Sequence, residues 1–173
     1  MKAFLSSLLL LFSCLFIRAQ EEELLQQVLA ANAPRTLQAS FTMVRHSPML
    51  TDDLTSEGEV FLQAPDKICW EVQRPFFRRT VLNGADASAG RFRMPEAKDF
   101  TLSSGRSDGA VRLELTPRRK DLQRLFAKIE VEAHPVTLLV REVRLVGRDG
   151  DWTTIRFDRI RTDEVIPQER FNP

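Results

Sequence analysis

Apolar residues in this chain recur with a period of two, in segment after segment. Leu37, Ala39, Phe41 and Met43 alternate with Gln38, Ser40 and Thr42. Val60, Leu62 and Ala64 alternate with Phe61 and Gln63, and Ile68, Trp70 and Val72 with Cys69, Glu71 and Gln73. The pattern returns at Val111, Leu113 and Leu115, and again at Ile129 and Val131 among Glu130 and Glu132. A strand turns successive side chains to opposite faces, so these segments predict strands with one apolar and one wet face. That is the signature of antiparallel sheet.

Turn chemistry separates the strands. Ser47-Pro48 and Asp52-Asp53 mark a long loop, and Ala64-Pro65-Asp66-Lys67 a hairpin turn. Arg74-Pro75, Asn83-Gly84, Asp108-Gly109 and His134-Pro135 punctuate the remainder. Arg148-Asp149-Gly150-Asp151, between Val143–Val146 and Thr153–Phe157, is the clearest hairpin. Asn83–Leu102 is the least regular stretch, and Thr116–Leu125 suits a short helix or a loop.

One segment carries a helical period. Glu21–Ala33 sets Leu24, Leu25, Val28 and Leu29 on one side, with Asn32 near the same stripe. Glu21–Glu23 suit the positive end of the helix dipole, and Pro34 stops the helix. The expected fold is therefore mainly β (α+β), with about eight or more antiparallel strands. A sheet of that length curls, either closing as a barrel or bending around something apolar. The N-terminal helix is expected on or over the concave face.

The first 19 residues read as an address. Lys2 is a short positive region, and Phe4–Ile17 is an apolar run too short for a comfortable membrane span. Ala19 offers a small residue for cleavage before Gln20 and the acidic run Glu21–Glu23. The expected organisation is a secretory signal peptide over 1–19 and one exported domain over 20–173. Leu11-Phe12-Ser13-Cys14 loosely resembles a lipobox, which would lipidate Cys14. Phe12 and the apolar Leu15–Ile17 that follow fit that alternative poorly.

Removing Lys2 and Arg18 leaves 23 basic and 24 acidic residues. A balance this close to neutral argues against a nucleic-acid partner. The basic positions Arg74, Arg78, Arg79, Arg91, Arg93 and Arg118–Lys120 read as a solvated face balanced by acids. Cys69 is the one cysteine left and reads as a buried, inert thiol. His46 and His134 lack metal-ligand spacing and read as structural, so neither a metal nor a cofactor is expected. No GxSxG, HExxH, CxxC or P-loop occurs, and an exported hydrolase has nothing beyond export in its favour.

The ordered motifs resemble a known family. Leu37-Gln38-Ala39-Ser40-Phe41-Thr42 is similar to the first-strand signature of the periplasmic outer-membrane lipoprotein carriers of LolA type. Gly58–Glu71 resembles that family's next hairpin: a glycine, an apolar strand, a proline turn and a strand carrying a Trp. Pro75, Val81–Gly84, Leu115-Thr116-Pro117, Ile129–Val131, Val143–Leu145, Ile155–Phe157 and Phe171 follow in the family's order. The resemblance implies an incomplete antiparallel barrel with helices as a lid, and a non-enzymatic carrier. Its implied partners are acylated lipoproteins, an inner-membrane ABC transporter as donor and an outer-membrane receptor, with the carrier a monomer. The chain departs from the family at Ala64, where an Arg is common, and in its short Asn83–Leu115 segment. That shortness keeps a second reading open, a carrier or envelope-tethered acceptor for another lipid or glycolipid.

The expected binding surface is the apolar face Leu37, Ala39, Phe41, Met43, Val60, Leu62, Ile68, Trp70 and Val72. Trp70, a large amphipathic ring, suits the wall or mouth of a lipid site, and Met43 adapts to varied chains. The competing expectation is that this face is core, packed beneath the helix.

Overall fold

Period-two alternation becomes sheet through a fixed register, and that register decides which residues share a face. The computed structural model describes residues 22–82, 97–107 and 109–172. The signal segment with Cys14, Asn83-Gly84, Arg91 and Arg93 lie outside them. Helix α1 spans 22–31. Four strands follow: β1 (Thr36–His46), β2 (Leu54–Gln63), β3 (Lys67–Arg74) and β4 (Arg78–Leu82). After a 3-10 turn at Ala97–Asp99 come β5 (Phe100–Ser107), β6 (Ala110–Pro117) and the short helix α2 (Lys120–Leu125). Strands β7 (Lys128–Ala133), β8 (Val140–Val146) and β9 (Trp152–Thr162) complete the sheet, and a 3-10 turn at Gln168–Phe171 follows.

The described strands form one antiparallel sheet in the order β4-β3-β2-β1-β9-β8-β7-β6-β5. Neighbours in the sheet are consecutive in sequence. The exception is β1 with β9, which brings the two ends of the fold together, with Phe41 opposite Phe157 and His46 opposite Trp152. Strands β4 and β5 end the sheet on either side, so it is curved and open, an incomplete barrel. Register shifts at Gln38/Ser40, Glu57/Gly58 and Glu132/Ala133 mark irregularities that increase local twist. No helix among the described residues is long and apolar enough to cross a membrane.

Cross-strand neighbours share a face, and the registers join the apolar positions of all nine strands into one surface. Helix α1 lies on part of it. Leu25 and Val28 are buried against Val111, Leu113 and Ala133, with Leu24, Leu102, Val131 and Val140 around them. Asn32 fastens the end of the helix. Its Nδ2 donates to the carbonyls of Val28 and Leu138, each at 2.8 Å, and its Oδ1 accepts from the Val140 N–H at 2.9 Å.

On the opposite face, β6–β9 carry the expected solvated charges. Lys128 Nζ lies 2.8 Å from Glu114 and 2.6 Å from Glu130. Arg112 pairs with Glu132 at 3.2 Å, and Arg156 with Glu142 at 2.9 Å. Beyond β1 the expectation of a wet face fails. Phe61 and Cys69 are buried there with Ile166 and Phe171. Glu71 is buried beside them, 2.8 Å from Arg79 and 3.0 Å from Arg170. The cause is the segment after β9, which lays Ile166, Arg170 and Phe171 across the outer side of β2 and β3. The Arg170 guanidinium stands 4.8 Å above the Phe61 ring. The end of the irregular stretch Asn83–Leu102 opens a strand, Phe100–Ser107, whose Ser, Gly and Arg carry little alternation.

Candidate functional site

The apolar face away from α1 is built by β1, β2, β3 and β9. Leu37, Ala39, Phe41 and Val60 are buried at its centre, with Met43, Leu62, Trp70 and Val72 packed around them. These are eight of the nine residues expected from the sequence. Ile68 shares their face, opposite Leu62 and Leu82, but stands outside the cluster. Ile155, Phe157 and Ile160 of β9 complete the surface. The sequence reading had placed Ile155 and Phe157 on a strand without joining them to this face. Only the non-local pairing of β9 with β1 brings them there.

Three aromatic rings run through the surface. Phe41 stacks on Trp70 at 4.2 Å between centroids, and Trp70 meets Phe157 edge-on at 6.5 Å. Gly58 makes room for them. A Cβ there would lie 2.8 Å from the Phe41 ring and 1.8 Å from the Glu71 carbonyl oxygen. The glycine therefore sits where the backbone of β3 and the Phe41 ring close in on the same point. Such an apolar surface can attract hydrocarbon.

Where pairing of β8 with β9 stops at Glu142 and Arg156, a cleft of about 630 Å³ opens beside Phe157 and Ile160. Its other walls carry Leu139, His134, Arg141 and Arg159, so it joins the apolar surface to a polar rim.

The titratable groups that drew attention in sequence have structural partners. His46 lies 2.7 Å from Asp53 and stacks on Trp152. His134 Nδ1 accepts from the N–H groups of Val136 and Thr137 at 3.1 and 3.0 Å, holding the β7–β8 turn. Cys69 is fully buried, as expected, and burial followed by the charge of Glu71 pushes its thiol pKa up. Among the basic positions, Arg79 serves Glu71, Arg119 serves Asp99 and Asp121, and Arg74 lies 3.4 Å from Glu57. Among the described residues, no three His, Cys, Asp or Glu side chains converge on a metal-sized site.

No family model and no curated protein sequence matches this chain. The fold does occur among solved structures. Pseudomonas aeruginosa MucB, in its complex with MucA, superposes with a TM-score of 0.59 at 15% identity, over 89% of this chain and 61% of MucB. MucB on its own gives 0.58 at 17% identity, over 90% of this chain and 63% of MucB. The chain thus spans about three-fifths of the length of MucB. A LolA superfamily protein from Nitrosomonas europaea gives 0.47 at 9% identity, over 88% of this chain and 97% of that one. At these identities the likeness is one of fold.

Proposed function

We propose that this chain is a binding and carrier protein of the bacterial periplasm, and that it takes the acyl chains of lipoproteins onto the face of β1, β2, β3 and β9. One observation carries this reading. Among the described residues, the cluster of that face consists of strand residues alone, and Met43, Leu62, Trp70, Val72, Ile155, Phe157 and Ile160 within it stay only partly buried. A face meant only as core would be closed by the chain's own side chains to interior density.

The energetics fit such a cargo. Three acyl chains hold on the order of 45 methylenes, each costing about 0.8 kcal/mol in water. A soluble carrier must offset tens of kcal/mol, which a broad apolar surface supplies better than a few polar anchors. The open sheet leaves that surface free to admit chains of different length. MucB, with the same fold, was solved holding a protein partner, MucA. Cleavage after Ala19 would release the carrier into the periplasm, between an inner-membrane ABC transporter as donor and an outer-membrane receptor.

Mass spectrometry of what co-purifies with the protein from periplasm tests this. Triacylated lipoprotein in stoichiometric amount is expected, and Trp70→Asp or Ile68→Asp is expected to abolish it while export continues. Lipid without attached polypeptide would remove the lipoprotein part of the reading. An empty, stable protein, or cargo unchanged in Trp70→Asp, would overturn it altogether.

A further inference from the structure

Two neighbouring strands of this sheet separate halfway along. β9 runs from Trp152 to Thr162, yet its register with β8 covers only 152–156 against 142–146. On its other side β9 stays paired with β1, from Trp152 opposite His46 to Thr162 opposite Leu37. Among the described residues, 157–162 thus have a strand neighbour on one side only. At about 3.4 Å per residue this is roughly 20 Å of strand edge inside the sheet. Antiparallel pairing alternates, so about half of the backbone N–H and C=O groups of that edge point away from β1. They face the cleft of about 630 Å³ whose far wall carries Leu139 and Arg141.

Specific contacts hold the two strands apart. The turn before β8 is fixed by the two N–H groups that donate to His134 Nδ1, and Asn32 ties Leu138 and Val140 to the end of α1. The link 33–35 leads from there to β1, and the Arg35 N–H donates to Asp163 Oδ1 at 3.1 Å, just past the end of β9. Within β9, Asp158 pairs with Ser40 but Arg161 with Gln38, so the strand bulges at Arg159 and Ile160. Arg159 and Leu138 stand on opposite sides of the gap, and both have left-handed backbone, at φ 50° and 58°. A residue with a Cβ adopts that conformation at a cost. Here the cost falls twice beside one cleft, where a longer β8 could have closed the sheet.

The charges around the gap cancel, with Arg141, Arg156 and Arg159 set against Glu132, Glu142 and Asp158. The gap therefore selects no sign of charge. What it presents is the side of an extended strand, whose N–H and C=O groups pair with another extended backbone. It is also continuous with the cargo face, since Phe157 and Ile160 belong to both. We propose that this gap takes the polypeptide that follows the acylated cysteine of a cargo lipoprotein, laid as an extended strand along 157–162 while the acyl chains lie on the adjoining face. The inference rests on the carrier reading and adds to it a site for the protein part of the cargo. Recognition through backbone makes that site indifferent to the side chains of the peptide.

Two synthetic probes separate the sites on the purified protein: a triacylated cysteine amide, and the same group followed by six uncharged residues. Both are expected to bind, the peptide-bearing probe about tenfold more tightly, as a net gain of one or two hydrogen bonds gives. Methylating alternate backbone nitrogens of the peptide is expected to remove the gain in one alternation and spare it in the other, because only every second N–H faces β9. Amide exchange at 157–162 is expected to slow with the peptide-bearing probe and not with the amide. Arg141→Trp, at an exposed position in the cleft wall, is expected to lose the gain and keep the affinity for the amide. Equal affinity of the two probes, a gain that survives both methylation patterns, or unchanged exchange at 157–162 would each overturn the inference and leave the carrier reading standing. Equal weakening of both probes in Arg141→Trp would also overturn it, by giving the gap to the acyl chains. Binding of neither probe would overturn the carrier reading and the inference together.

Discussion

Two halves of one sheet face are treated differently by the same chain. Over β6 and β7, α1 presses Leu25 and Val28 onto Val111, Leu113 and Ala133, and every one of these residues is buried. Over β1, β2, β3 and β9 the apolar pattern is as strong and the aromatic content higher. Yet among the described residues the cluster holds no helical one, and Trp70, Phe157 and Val72 remain partly buried. Alternation in sequence states only that a face avoids water. What covers that face is decided elsewhere, and among the described residues α1 covers one half of it.

A charge placed on each half separates the two most sharply. Val111 is fully buried, with the α1 residues packed on its cluster. Val111→Asp is expected to cost about 3–5 kcal/mol, enough to unfold a marginal domain, because the carboxylate has no partner there. Trp70→Asp loses ring stacking but leaves its charge within reach of water, so about 1–3 kcal/mol is expected. Urea denaturation of both variants reads the difference. Equal losses would mean that the second half is filled core, and the case for a binding face would fall.

How much of this was legible in the sequence follows the range of the forces involved. Alternation and turns are local, so the strands around Ala39, Val60, Trp70, Leu113 and Val131 were readable, as was the helix with Leu25 and Val28. The resemblance in motif order added the open, curved architecture. Ile155 and Phe157 escaped because their place on this apolar face depends on β9 pairing with β1, more than a hundred residues away. Phe61 and Glu71 were misjudged for the same kind of reason. Their face looked wet until Ile166, Arg170 and Phe171 covered it, and nothing in the period of β2 or β3 announces that cover. The face expected from sequence came together, Ile68 excepted, because all nine positions lie on three consecutive hairpin-linked strands.

Two glycines sharpen the contrast at the level of backbone. Gly58, on the uncovered half, has the Glu71 carbonyl 1.8 Å and the Phe41 ring 2.8 Å from where a Cβ would stand. Gly105, in β5, has nothing within 4 Å. Gly58→Ala is expected to cost about 2–3 kcal/mol by forcing β3 and the Phe41–Trp70 stack apart, and to change the tryptophan emission. Gly105→Ala is expected to be neutral or to add about 0.5 kcal/mol, since Ala suits a strand better. A Gly58→Ala variant as stable as wild type would show that the aromatic row yields easily, as a surface that reshapes around cargo would.

The smallest effect concerns the third apolar cluster, closed by a tail instead of a helix. Burial, and then the negative charge of Glu71, hold the Cys69 thiol above its ordinary pKa. The folded state therefore keeps its proton where the unfolded chain releases it. The associated stability is complete below the ordinary thiol pKa, about 8.5, and is lost as pH rises through the folded value. Denaturation midpoints of the wild type should fall more steeply than those of Cys69→Ala above that pH. Arg170→Ala removes one of the two guanidinium groups on Glu71 and the cation over Phe61, at about 1–2 kcal/mol given the partial exposure of Arg170. If that loss is confined to the tail, iodoacetamide should reach Cys69 about tenfold faster, since about 1.4 kcal/mol of easier opening is a factor of ten. Alkylation at the wild-type rate, with the same fall in global stability, would instead tie the tail to unfolding of the whole sheet. The outer cover would then belong to the same cooperative unit as α1, leaving the β1, β2, β3 and β9 face as the one apolar surface without a cover drawn from the described elements.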